Sequence, residues 1–411
     1  MNTDTDMVVF AVNENQKMYP ASLTKIMTAI ITMEQCKDDL DAVVTATQEA
    51  MEELFNTDSS VSGITSGEEL TVRELLHLML IPSGNDASIV LADYVSKGNP
   101  AFFYEMMNNK AAELGMTGSH FSNSHGLHDI NNYTTAKDAY IMSKYALSLP
   151  LIPDIVEMTR YELRDTNKRK SQWITTSNLM MDKVFGGSYY VPETKFKVRG
   201  IKTGRTDEAG YCLSSVATKD AYTYMCVVMG APYIDENAKR VTTNGAFVDT
   251  KALYEWVFKD FYKQSVLTTK EPLGDIKVNL SMDTDKVLLN PDKDFSTLLP
   301  KAAQNPKNDI KIEADIPESI DAPVKKGQVI GTAKLMLAGD VIGEVNLLAA
   351  ESVEKSGALV FLRGLYNVVD SIWFKLGAAV LLLLIVLYIV YAILHNKRRK
   401  EFGKVRKFKR F

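Results

Sequence analysis

Nineteen consecutive uncharged residues, LGAAVLLLLIVLYIVYAIL at positions 376–394, constrain this 411-residue chain more than any other feature. The run is long enough to cross a bilayer as a helix. Its length and its lack of any polar stripe argue against a buried core helix. Tyr388 and Tyr391 sit towards its end, where aromatic residues favour the membrane–water boundary. Between Lys397 and Arg410, nine Lys/Arg face one acid, Glu401, so this tail carries about +8 and the rest of the chain about -12 of the net -4. A basic tail alone is compatible with nucleic-acid binding. Directly after an apolar span it reads instead as a topology signal with some affinity for anionic lipid. The expectation is one transmembrane helix over 376–394, a cytoplasmic basic tail over 395–411, residues 1–370 on the outer side, and no nucleic acid.

With 46% hydrophobic and 24% charged residues, the remainder can bury a sizeable core. Over residues 1–265 helical and strand patterns mix. A strand is expected at 7–12. A helix is expected at 22–34, where Ile26, Met27, Ile30 and Met33 recur at helical spacing, and another at 71–81 behind a Thr71/Glu74 capping box. Thr135 and Asp138 mark a further cap. Residues 210–218 and 222–229 flank Lys219-Asp220 as a hairpin. From about Pro272 the texture becomes that of a small all-β domain, 272–351: Ile276, Val278 and Leu280 alternate with polar residues, as do Ile310, Ile312 and Ala314. A second hairpin is expected around Ala338-Gly339-Asp340. A linker and juxtamembrane segment, 352–375, leads to the span. Three cysteines, Cys36, Cys212 and Cys226, form no disulfide framework; Cys212 and Cys226 lie on neighbouring strand-like runs, so a bridge and two small buried thiols are both open.

Three short elements carry chemistry. Ser22 and Lys25, in PASLTKIMTA, share a helix face at i and i+3, so the Lys25 amine can reach the Ser22 hydroxyl. A serine is a weak nucleophile until a base takes its proton, and a lysine can serve when burial or a second cation lowers its pKa. With Pro20 before it, Ser22 falls in the first helical turn, where free N–H groups point at a reacting carbonyl. A second S-x-x-K, Ser352 to Lys355, lies in the linker and is given no chemistry. Ser83-Gly84-Asn85 puts a hydroxyl and a carboxamide on a loop, fit to relay a proton and hold a substrate amide, although alone it is better read as a turn capping the next helix. Lys202-Thr203-Gly204, placed where a strand begins, offers charge and a hydroxyl to a carboxylate, while Gly204 lets a peptide lie close along the edge. The Arg205 N–H then becomes a second oxyanion donor beside that of Ser22.

The three follow in the order S-x-x-K, S-x-N, K-T-G, with 57 residues between Lys25 and Ser83 and 116 between Asn85 and Lys202. That set is shared by class A β-lactamases and penicillin-binding proteins. Together with YPASLTKIMTA, IPSGNDASIVLADYV, SHGLHDINNYTTAKDA and IKTGRTDEAGYCL, it makes the chain resemble the D-alanyl-D-alanine carboxypeptidases, low-molecular-weight penicillin-binding serine peptidases. The resemblance implies an α/β (α+β) penicillin-binding, transpeptidase-like catalytic domain with an antiparallel sheet, then a small all-β domain. It implies removal of the terminal D-alanine from peptidoglycan pentapeptide stems through an acyl-enzyme on Ser22. Lys25 is then the base and Ser83 the proton relay, with Asn85, Lys202, Thr203, Gly204 and Arg205 around the substrate. No metal or cofactor is called for, and β-lactams acylate the same serine.

Arg205 stands where family members often carry His, the usual amphipathic anchor is replaced by a full span, and GGSYYVPETKFK over 186–197 resembles an insertion near the site. A β-lactamase is the competing enzyme, but no E-x-x-L-N pentapeptide lies between Asn85 and Lys202, and Glu162 to Asn167 has the wrong spacing. A non-catalytic wall-binding scaffold has no reason to keep Ser22, Lys25, Ser83, Asn85, Lys202 and Thr203 together. His125 and His128, in SHGLHD, read as structural loop residues. The polar start, without a basic-then-apolar leader, sets the expectation that Met1 lies inside the first strand pair of a longer exported protein, with residues 2–6 as its turn and 7–12 as its second strand.

Overall fold

Ten consecutive residues, Thr24 to Met33, are buried along the first helix, so this helix has no solvent face over nearly three turns. Its threonines are tolerated inside because each hydroxyl is spent on a carbonyl: Thr24 on Ala21 (2.9 Å), Thr28 on Ser124 (2.6 Å) and Thr32 on Thr28 (2.8 Å). The computed structural model describes residues 1–301 and 310–406, apart from Phe55, Asn56, Asp58, Ala221, Ala238 and Ala338. They fall into two units, the first Met1–Tyr262 with Pro300 and Lys301, the second Lys263–Leu299 with the described residues from Ile310 on.

In the first unit a 3-10 turn, Ala21–Leu23, runs into α1 (Thr24–Cys36). A small pair, β1 (Val43–Thr45) and β2 (Glu69–Thr71), brackets α2 (Gln48–Glu52). Then come α3 (Val72–Leu80), α4 (Asn85–Ser96), α5 (Pro100–Glu113), α6 (Ala136–Ser148) and α7 (Ile152–Glu157). Both expected caps form: Thr71 and Glu74 exchange bonds in a capping box, and Thr135 accepts the Asp138 N–H. After the hairpin β3 (Arg160–Leu163) and β4 (Gln172–Thr175) comes an antiparallel sheet of β5 (Lys197–Thr206), β6 (Gly210–Lys219) and β7 (Tyr222–Ala231) in that order, followed by α8 (Gly245–Asp260). The hairpin around Lys219-Asp220 is there, with Asp220 at φ +53°. Neighbouring strand residues point to opposite faces. Ser214 Oγ meets Ser143 of α6 at 2.7 Å while Ser215 Oγ meets Tyr254 of α8 at 2.9 Å, so the two helices cover opposite faces of the sheet.

Residues 7–12 form no strand. Instead residues 1–3 lie along β7, with Met225 N–H donating to Met1 O (2.9 Å) and Thr3 N–H to Thr223 O (3.0 Å). Asn2 Oδ1 then accepts the Asp4 and Thr5 N–H groups and turns the chain away. Val8, Phe10 and Val12 are left exposed, Phe10 resting edge-on against Trp256. The run 7–12 is apolar throughout, yet among the described residues it pairs with no strand.

In the second unit β8 (Phe261–Leu267) pairs with β11 (Phe295–Pro300). A six-stranded sheet runs in the order β12 (Ile310–Asp315), β14 (Val329–Leu337), β15 (Asp340–Ala349), β10 (Lys286–Pro291), β9 (Gly274–Asn279), β13 (Ser319–Asp321). Its core takes alternate residues, Ile276 and Val278, Val287 and Leu289, Ala333 and Leu335, Val345 and Leu347. Along β12 the expected alternation fails: Ile310 is buried but Ile312 is exposed, because β12 is an edge strand. Leu280 ends β9 half-buried at φ +62°. Strands β14 and β15 form the second expected hairpin, whose Ala338 lies outside the described residues.

The juxtamembrane stretch is helical. Helix α9 (Gly357–Asp370) exposes Phe361, Leu362, Leu365, Val368 and Val369, while Arg363 pairs with Asp321 at 2.7 Å. Only Ser371 separates α9 from α10 (Ile372–Arg406), whose apolar part, Ile372–Lys397, is long enough to cross a membrane. Lys407, Lys409 and Arg410 of the basic tail lie outside the described residues.

Candidate active site

The strained backbone at Ala21 sets where the first of these side chains points. Ala21 has φ +46°, costly for a residue with a Cβ, and lies directly before Ser22. Its carbonyl is pressed by Gly126, where an added Cβ would sit only 1.9 Å from Ala21 O. Gly126 itself has φ +89°, so glycine is required there on both counts.

One turn on, Lys25 is completely buried. Its Nζ lies 2.9 Å from Ser22 Oγ, and it donates to Asn85 Oδ1 at 2.5 Å and to the His125 carbonyl at 2.7 Å. Burial drives the Lys25 pKa well below that of a free lysine. The Lys202 charge lowers it further, and Asp86 opposes. Asn85, also buried, is the first residue of α4, and its N–H donates to Ser60 O at 2.8 Å. Ser83 precedes it at φ +74°, a second strained position beside the same cleft.

Lys202, Thr203 and Gly204 lie within the C-terminal half of β5 rather than at a strand start, and β5 is the edge of its sheet. Lys202 is buried, its Nζ donates only to Thr203 O (3.0 Å), and burial pushes its pKa down to about 7. Thr203 Oγ1 shares a 2.7 Å hydrogen bond with Ser177 Oγ. At Gly204 a Cβ would stand 3.0 Å from Pro20 O and 3.2 Å from Ser22 N, so the absent side chain is what lets β5 close on the serine. Arg205 is exposed, 4.9 Å from the Tyr233 ring, which Arg240 also overhangs at 5.6 Å.

A cleft of about 570 Å³ is lined by Ser22, Ser83, Asn85, Thr203, Gly204 and Arg205 together. All eight residues singled out in the sequence therefore meet at one place, Lys25 and Lys202 beneath its floor. Ser352 of the other S-x-x-K accepts the Lys326 N–H at 2.9 Å within the second unit. Cys36, Cys212 and Cys226 are free thiols. Residues 186–197 run into β5, Tyr189 accepting the Asn244 N–H at the start of α8.

Two contributors were not singled out. The His125 carbonyl holds Lys25, yet a carbonyl is present in every residue and leaves no trace in a motif. Asp86 follows Asn85 and its carboxylate accepts Ser62 N, Ser62 Oγ and Ile64 N, each at 2.9 Å, so it straps the loop carrying Ser60 to α4. A buried Asp within the motif's own helix turn was the available signal.

Residues 1–233 match the family described as D-alanyl-D-alanine carboxypeptidase, and residues 261–355 match the C-terminal domain of penicillin-binding protein 5. The chain is 31% identical over 360 residues to the D-alanyl-D-alanine carboxypeptidase DacF of Bacillus subtilis, covering 88% of this chain and 86% of that one. It is 30% identical to DacA of Haemophilus influenzae, covering 87% and 84%. The crystal structure of penicillin-binding protein 5 from Haemophilus influenzae superposes with a TM-score of 0.62 at 28% identity, covering 86% of this chain and 96% of that one. By sequence and by fold, the chain belongs to the D-alanyl-D-alanine carboxypeptidase family of serine peptidases.

Proposed function

We propose that Ser22 is the nucleophile with which this carboxypeptidase removes the terminal D-alanine of a peptidoglycan pentapeptide stem, and that Lys25 is its base. The observation that carries the assignment is the set of three partners around Lys25 Nζ. A neutral amine has two N–H bonds and one lone pair. Asn85 Oδ1 and His125 O can accept only, so they take the two hydrogens and turn the lone pair to Ser22. The depressed pKa supplies the neutral form.

In the forward step Ser22 Oγ bonds to the carbonyl carbon between the two D-alanines and its proton passes to Lys25. The N–H groups of Ser22 and Arg205 face the oxyanion. The C–N bond then breaks, with Ser83 relaying the proton to the departing amine, and water hydrolyses the ester in the second half-reaction. Charged Lys202 and the Thr203 hydroxyl hold the terminal carboxylate, while the stem lies along the free edge of β5 beside Gly204, with Asn85 on its amide. A β-lactam, an amide of the same shape, acylates Ser22 in the same way. Helix α10 anchors the enzyme in the membrane, with its catalytic unit outside and the basic tail inside.

Mass spectrometry of the protein after penicillin treatment tests the assignment. One acyl group on Ser22 is expected, none in Ser22→Ala, and in Lys25→Ala a rate reduced by at least about a hundredfold, the share of a general base. Acyl-Ser352, or a Lys25→Ala variant acylated at the wild-type rate, would refute it.

A further inference from the structure

The residue that caps the end of α2 reaches the machinery around Lys25 through its side chain. Glu53, the C-cap residue of α2, places Oε1 2.9 Å from His125 Nε2. The imidazole is buried, whereas the Glu53 side chain is about one-third exposed. On the other side of the ring, the Leu127 N–H points at Nδ1 from 3.1 Å. A backbone N–H can only donate, so Nδ1 carries no proton and Nε2–H donates to the Glu53 carboxylate. Burial lowers the His125 pKa, and the Glu53 carboxylate opposes this.

This ring belongs to the residue whose carbonyl takes one of the two Lys25 hydrogens. The turn that carries it is closed by Asn123, whose Oδ1 accepts the Gly126 N–H at 2.6 Å and whose Nδ2 donates to Leu127 O at 3.0 Å. The neighbouring Ser124 carbonyl accepts the Thr28 and Ser88 hydroxyls, both at 2.6 Å. Among the described residues, the hydrogen bonds of the turn are thus internal or made to α1 and α4, except the one from Glu53. That contact fixes the ring and the ring holds the Leu127 N–H; together with Asn123, which holds the Gly126 N–H of the same peptide group, they orient the His125 carbonyl. In the opposite direction the same bond clasps the α2 segment, which continues to Ser59 and Ser60 on the cleft wall.

We infer that Glu53 is a positioning residue for acyl transfer: through His125 it aims the carbonyl that turns the Lys25 lone pair to Ser22. The inference rests on the roles of Ser22 and Lys25 given above. Glu53 itself meets no reacting atom. Its contribution is orientation, where a displacement well under 1 Å already costs rate.

Four variants of the full-length protein in detergent, Glu53→Ala, Glu53→Gln, Glu53→Asp and Ser22→Ala, decide the matter through penicillin acylation rate, kcat and KM for a D-Ala-D-Ala peptide, and Tm. Glu53→Ala should lose about tenfold in acylation rate and in kcat, with KM within about twofold of wild type. Glu53→Gln retains an acceptor at the same reach and should stay close to wild type. Glu53→Asp keeps the charge but withdraws the acceptor by one methylene, and should fall towards Glu53→Ala even if the latter folds poorly. A Glu53→Asp variant at the wild-type rate with Ser22→Ala inert would overturn the role of Glu53 alone. Equal losses in Glu53→Gln and Glu53→Ala would also overturn it, since charge and not the bond would then matter. Acylation persisting in Ser22→Ala would instead bring down the nucleophile assignment beneath it.

Discussion

Two buried lysines face opposite demands on one proton scale. As the proposed base, Lys25 must be neutral, and as the proposed carboxylate holder, Lys202 must be charged; burial lowers the pKa of both. Below the Lys25 pKa there is no base, so kcat/KM should climb as pH rises through it. As pH passes about 7, free Lys202 loses its charge and kcat/KM should fall again. A bound carboxylate raises the Lys202 pKa, so the fall in kcat should come at higher pH than the fall in kcat/KM. The measurement is a pH profile of both constants with a D-Ala-D-Ala peptide. A kcat/KM that keeps rising far above pH 7 would show that Lys202 stays charged in the free enzyme. The residues that meet in the cleft were legible as side-chain types at fixed spacings. What was not legible were the parts that act through the backbone or across long separations. The His125 carbonyl comes from 100 residues along the chain from Lys25, and Glu53 lies 72 residues from His125.

Among the elements, the capping box of α3 and the turn at Gly126 separate stability from chemistry. Thr71→Ala removes a cap that touches nothing in the cleft and should cost about 1 kcal/mol, seen as a lower Tm with unchanged penicillin acylation. Gly126→Ala drives a methyl into the Ala21 carbonyl and should lower both Tm and the acylation rate, because the turn and the nucleophile's backbone cannot both keep their places. An unchanged acylation rate in Gly126→Ala would mean that Ala21 is not held by this contact. The elements that matched expectation, α1, α3 and the β6–β7 hairpin, carry their own local signals in period, cap and turn. Those that did not match depend on a neighbour. Residues 7–12 have strand composition but pair with no strand, and Ile312 lies exposed on β12, an edge strand among the described residues.

For the whole molecule, the apolar α10 makes orientation a physical question. With the basic cluster held inside, protease added to intact cells should digest the catalytic unit and spare a tag placed after Phe411; the reverse pattern would invert the topology. The burial of α1 bears on how such an enzyme can change over generations. From Thr24 to Met33 every position is enclosed, and Gly126 and Gly204 crowd the turn before it. If Ser22 is the nucleophile proposed above, few substitutions around it leave the packing undisturbed. The solvent-facing rim is freer to vary, since Arg205 and Arg240 over Tyr233 are exposed and fill no core position.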